Sequence, residues 1–239
     1  MKIKPILYST PMVQAIDLGT KTKTRRTKGL ELINKEPNIY NRNGEPMKYK
    51  NRIWDSSIEE NPNPLKTLHG FKNSISSEIE YVECPYGKVG DILWVRETFR
   101  PIAQEIGPPR FEYKATEKIN LTDKWKPSLF MPKEACRIFI QIKSVTVERL
   151  IDISESDAIA EGVLFYYDTH LEKNKFFDYI SAAYLKTPIK QEFSFFPWDL
   201  AVESFYSLWK QINGFDSFYS NPWVWVIEFE KVEKPENFI

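Results

Sequence analysis

The stretch from Gly19 to Thr27, "GTKTKTRRT", sets Lys21, Lys23, Arg25 and Arg26 among threonine hydroxyls with no carboxylate between them, and Lys28 follows at once. Lysine and arginine supply charge, arginine adds a planar fork, and threonine adds directional hydroxyls, which together suit an anion or a phosphate. A threonine hydroxyl also becomes a nucleophile where a neighbouring amine can take its proton. Lys21 sits among Lys23, Arg25 and Arg26, and nearby like charge makes its ammonium easier to deprotonate. Strict strand alternation would put Lys21 and Thr24 on opposite faces, so a partnership between them requires Lys21 to lie in the turn after Gly19. A plainer role stays open, because alternating lysines on a solvated edge strand discourage edge-to-edge association.

Two acids are candidates to act with this stretch. Glu161 ends the run "SESDAIAEG", where a carboxylate in the last helical turn opposes the helix dipole and suits a proton shuttle; the alternative is an exposed helical glutamate. In "WVRETF", Arg96 and Glu97 fall on opposite faces of a strand, and Glu97 is expected to pair with a base of the Lys21 to Arg26 stretch or to form a surface ion pair. The stripe Trp223, Trp225 and Phe229 has the spacing of strand core, although such rings can also stack bases.

The elements that must position these residues are partly visible. "ILYST" reads as a strand, followed by a short helix with Thr10 as cap, Pro11 in its first turn and Gly19 as its stop. Strands are expected over "ILWV" with Phe99, over "FEYKA" and along residues 136 to 153, where Ile138, Ile140 and Ile142 alternate. Ser154 caps a helix of about two turns that Gly162 ends. "WDLAVESFYSLWKQING" predicts the longest helix, with Leu200, Val202, Phe205, Leu208, Trp209 and Ile212 near one face, and "NPWVWVIEFEKV" predicts a buried terminal strand. Residues 29–80, rich in asparagine and proline, and 163–196 lack a steady period and read as insertions into one α+β domain spanning 1–239. The arrangement expected is a small mixed barrel with short helices around it.

Composition narrows the partners. Thirty-three bases balance 33 acids, so affinity for nucleic acid cannot come from total charge and any anion site must be local. Cys84 and Cys136 lie far apart, and His69 and His170 stand alone, so neither a disulfide framework nor a metal site is expected, and no cofactor. Neither a signal-peptide run nor a stretch of apolar residues long enough for a bilayer is present, which predicts a cytoplasmic protein with no membrane partner.

"LGTKTKTRR", "GDILWVRE", "ISESDAIAEG" and "PWVWVIEFEKV", in this order, resemble the activating signal cointegrator homology (ASCH) family, a branch of the PUA-like β-barrels. The resemblance covers residues 4 to 28, 88 to 100, 134 to 162 and 200 to 232, and is closest to the long members found in phages and prophages. It implies a PUA-like mixed barrel and a partner that is RNA or a modified nucleoside. In small members that hydrolyse N4-acetylcytidine without a metal, the pattern Gly-x-Lys-Thr-x-Thr-x-Arg carries a lysine base and a threonine nucleophile, with a glutamate from a later helix. Carried over, these fall on Lys21, Thr24 and Glu161, and the arginine on Arg26. Lys23, Arg25, Arg26 and Glu97 would then face the substrate. Other members of the superfamily only bind RNA, and some are ribonucleases, so a non-catalytic module is the alternative.

Overall fold

A computed structural model describes residues 1–35, 54–57, 68–73, 79–103, 106–117, 124–184 and 197–238. Strand β1 (Ile3–Leu7) leads to helix α1 (Thr10–Asp17) and strand β2 (Lys23–Arg26). Three strands follow, β3 (Trp54–Ser57), β4 (Leu68–Asn73) and β5 (Ile79–Glu83). Next come β6 (Ile92–Arg96), β7 (Phe99–Ile102), β8 (Arg110–Tyr113) and the long β9 (Phe139–Arg149). Helix α2 (Glu155–Ala160), strands β10 (Phe165–Asp168) and β11 (Lys173–Phe176), and helices α3 (Tyr179–Tyr184), α4 (Ala201–Asn213) and α5 (Phe215–Tyr219) precede the last strand, β12 (Trp223–Val232). The fold is mixed α+β, with most of its core in sheet. Its main sheet has the order β1-β6-β9-β12-β2, ending at β1 and β2, and the described residues show no closed barrel.

The chain divides into two compact units. The first unit comprises Met1–Thr22, Tyr86–Val145 and Ile227–Ile239. In it β1 pairs parallel with β6, from Ile3 opposite Ile92 to Leu7 opposite Arg96, and β6 pairs antiparallel with β9. Ile92, Leu93, Trp94 and Val95 are all buried, as a strand covered on both faces requires. Met12, Val13, Ala15 and Ile16 give α1 its apolar face. The N-cap of α1 is Ser9 rather than Thr10, and Gly19 takes φ +75° after the helix, a conformation that glycine adopts freely. At Gly87, φ +131°, a Cβ would stand 2.9 Å from Asp91 Oδ2, so a side chain there would force a shift of the carboxylate that accepts the N–H groups of Lys2 and Lys88.

The second unit comprises Lys23–Pro85 and Thr146–Val226. Helix α4 buries Ala201, Ser204, Phe205 and Leu208, the i, i+3, i+4, i+7 stripe of an amphipathic helix. Leu200 and Ile212, placed near its apolar face by the sequence pattern, are 50% and 58% exposed because they fall at the two ends of the packed stripe. Leu200 offers no side-chain cap, and the first N–H groups of α4 are instead taken by Glu155 of α2, from Ala201 at 2.8 Å and Val202 at 3.2 Å. A carboxylate there also meets the positive end of the helix dipole.

Part of the stretch read as irregular is ordered sheet. Strands β3, β4 and β5 form an antiparallel sheet, and Leu30, Ile33 and Phe71 are fully buried. Phe71 packs edge-on against Trp223 at 5.5 Å, and His69 against Trp225 at 4.9 Å. Trp225 Nε1 donates to Lys28 O at 3.1 Å, so the buried indole keeps a hydrogen bond. Burial of Trp223, Trp225 and Phe229 fits their reading as core. Within 163–196, β10 and β11 form a hairpin followed by α3. Positions 36–53, 58–67, 74–78 and 185–196 of the two expected insertions lie outside the described residues. Among the described residues no helix is long and apolar enough to cross a membrane.

Candidate functional site

In the second unit, β2 presents its residues to α2. Ser154 caps α2, its Oγ accepting the N–H of Asp157 at 3.2 Å, and Glu161 is the C-cap residue, with Gly162 at φ +80° closing the helix. Asp157 and Glu161 are four residues apart and therefore share a face of the helix. Both meet β2. Lys23 Nζ donates to Asp157 Oδ1 at 2.7 Å, Arg25 Nη2 to Asp157 Oδ2 at 3.0 Å, and Arg25 Nη1 to Glu161 Oε1 at 3.3 Å. Arg25 Nη2 also reaches Glu148 Oε2 of β9 at 3.0 Å, and the guanidinium lies 5.9 Å from the ring of Phe205. The Arg25 side chain is 0% exposed and that of Glu161 only 6%, so water is largely kept from the bond between them.

This geometry changes the reading of the basic stretch. Lys23 and Arg25, expected to face a bound anion, donate instead to carboxylates of the chain itself. The acids absent from the local sequence arrive from positions 148, 157 and 161. Because Lys23 and Arg25 both turn toward α2, alternation along β2 puts Thr24 and Arg26 on the opposite face of the strand. Thr24 is buried and Arg26 half-buried. Asp157 is held below the ordinary carboxylate range: burial pushes it up, and the hydrogen bonds and charges of Lys23 and Arg25 outweigh that.

No protein-family model matches this chain, and no curated protein or solved structure matches it significantly.

The remaining candidates belong to the first unit. Lys21 leaves the end of α1, its N–H donating to Ala15 O at 3.0 Å, so it lies in the turn after Gly19 and outside the regular strand. Only 3% of Lys21 is exposed, and its ammonium stands 5.6 Å from the ring centre of Tyr8. Glu97 is buried, at 1%, and its partner is Arg137 rather than a base of the Lys21 to Arg26 stretch. Arg137 grips it with two bonds, Nε to Oε1 at 2.8 Å and Nη2 to Oε2 at 3.1 Å, and gives Nη1 to Asp17 Oδ2 at 2.8 Å. Lys231 completes the row on Asp17 Oδ1 at 2.8 Å, and the Arg137 guanidinium stacks 4.8 Å from the Tyr113 ring. Burial raises Glu97 above the ordinary glutamate value, and the hydrogen bonds and charge of Arg137 only partly offset it.

Sequence reasoning missed Glu148, Asp157 and Arg137 as partners. Asp157 is an acid in the first turn of a helix, where the dipole alone accounts for it. The excess of base in the Lys21 to Lys28 stretch was itself the signal that distant acids must come to it. For Arg137 the signal lay in strand pairing: β6 and β9 run antiparallel with Trp94 opposite Phe139, and extending that register brings position 137 level with 96, beside Glu97.

Proposed function

We propose that this chain is an ASCH-type protein of the PUA-like class that acts on a modified nucleoside, as a hydrolase of N4-acylated cytidine. One observation carries the reading: the two motifs that hold its functional residues, 136 positions apart, meet in a buried ion network through Arg25 and Glu161. Lys21, Thr24, Arg25, Glu97 and Glu161 also stand among the buried polar residues. Burial of such groups is costly unless they are paired, and positions that keep them are frequent at functional sites.

The chemistry follows from the residue types. Lys21 takes the proton of Thr24, and Thr24 Oγ1 attacks the acyl carbonyl. The bond from that carbon to N4 of cytosine breaks, and the proton that left Thr24 passes to the leaving amine with Glu161 as the shuttle. Water then hydrolyses the acyl-threonine ester and returns the hydroxyl. Arg26, on the same face of β2 as Thr24, suits the developing oxyanion. A phosphate-binding wall is less well supported, since Lys23 and Arg25 are already engaged by carboxylates.

The test is deacylation of N4-acetylcytidine and related N4-acylated cytidines by the purified protein, followed by chromatography. Wild type should turn over, and Lys21→Ala and Thr24→Ala should each be inactive while remaining folded by circular dichroism. Full activity in either variant removes the mechanism. Absence of turnover in all three, with RNA binding that weakens steeply with salt, would make the chain a binding module instead.

A further inference from the structure

We infer that Arg25 is the positioning residue of Glu161, setting the direction in which that carboxylate is presented; the inference rests on the hydrolase reading above. The guanidinium is a rigid planar fork, so fixing one of its ends orients the other. Nη2 is fixed twice, by Glu148 Oε2 at 3.0 Å and Asp157 Oδ2 at 3.0 Å, which come from different elements. Phe205 lies against the guanidinium, and Lys23 Nζ, 2.7 Å from Asp157 Oδ1, steadies the carboxylate that holds it. With its plane set in this way, Arg25 offers Nη1 to Glu161 Oε1 at 3.3 Å in a place largely closed to water. Glu161 is the C-cap residue of a helix of 6 residues, its N–H still bonded to Asp157 O at 2.9 Å. The backbone thus fixes where the residue sits, and the arginine bears on the direction of its carboxylate.

A lysine at this position keeps the charge and loses the fork, so Arg25→Lys separates geometry from electrostatics. With N4-acetylcytidine as the probe, Arg25→Lys should lower kcat about tenfold or more and leave KM within about threefold of wild type, as expected when a catalytic group is misplaced but substrate contacts survive. Asp157→Asn, which weakens one of the two anchors of Nη2 and leaves Glu148 as the other, should give a smaller loss of the same kind, about threefold in kcat, and it keeps the test open if Arg25→Lys does not fold. Wild-type kcat in both variants overturns the inference while leaving the hydrolase reading intact. A loss confined to KM also overturns it, because Arg25 would then contact substrate directly. A wild-type protein that deacylates no N4-acylated cytidine removes the hydrolase reading, and this inference with it.

Discussion

Arg25 and Arg137 each gather carboxylates from distant parts of the chain, one in each unit, and they do so in different surroundings. The Arg25 side chain is 0% exposed and meets three carboxylates, with Lys23 as a second cation on Asp157. Arg137 is 26% exposed and divides its donors between buried Glu97 and Asp17, whose side chain is also 26% exposed. The acids respond in opposite directions. Two cations on Asp157 outweigh its burial and lower it, whereas one shared arginine does not outweigh the burial of Glu97, which is raised. The ratio of cations to depth of burial, rather than the presence of a salt bridge, decides what a buried acid does.

The sharpest way to break this comparison is to remove each arginine. Arg25→Met should cost about 3–5 kcal/mol, the usual loss when one partner of a buried ion pair disappears, because Glu161 stays buried even though Asp157 keeps Lys23 and Glu148 reaches water. Urea denaturation at neutral pH measures it. Arg137→Met should cost less, about 1–3 kcal/mol, since Asp17 keeps Lys231 and Glu97 can take up a proton instead of remaining charged. Equal losses would mean that exposure of the arginine does not set the energy of its network.

The same contrast explains what could be read in the sequence. Ser154 as a cap, Gly162 as a stop and the helix around Phe205 are local signals, written within one or two turns, and the structure has them where the residues put them. The final strand was legible because its aromatic residues alternate. The ion networks were not, because Arg25 finds its partners 123 to 136 positions away and Glu97 finds Arg137 40 positions away. Strands β3 to β5 stayed hidden for a related reason: the apolar residues of β4 are few, and Phe71 and His69 make sense only against Trp223 and Trp225 of β12. Glu161 and Thr24 can be singled out in the sequence, but that β2 turns Thr24 away from α2 required the contacts of Lys23 and Arg25.

A smaller effect tests the opposite pKa directions. Asp157 is lowered in the fold, so its stabilisation is complete above its ordinary value of 3.8 and is lost as pH falls through the lower folded value. Glu97 is raised, so its contribution is complete below its ordinary value of 4.5 and is lost as pH climbs through the higher folded value. The cost of Asp157→Asn should hold from neutral pH down to that point and shrink only in stronger acid. That of Glu97→Gln should grow on the way down from neutral pH. Urea midpoints across this pH range measure both, and profiles that run in the same direction would mean that the two acids are not opposed.

The smallest effect belongs to an ion pair with no burial to protect it. Lys143 of β9 and Glu230 of β12 meet at 3.1 Å, a distance close to those around Arg25, but their side chains are 49% and 52% exposed. Water solvates both groups whether or not they touch, and holding two long side chains together costs entropy, so Lys143→Ala should change stability by no more than about 0.5 kcal/mol. The pair matters because its geometry is as good as that of the buried network while its environment differs. A loss comparable to that of Arg25→Met would show that distance alone governs these contacts; a negligible loss would assign the strength of the Arg25 network to its burial and to the three carboxylates that share one fork.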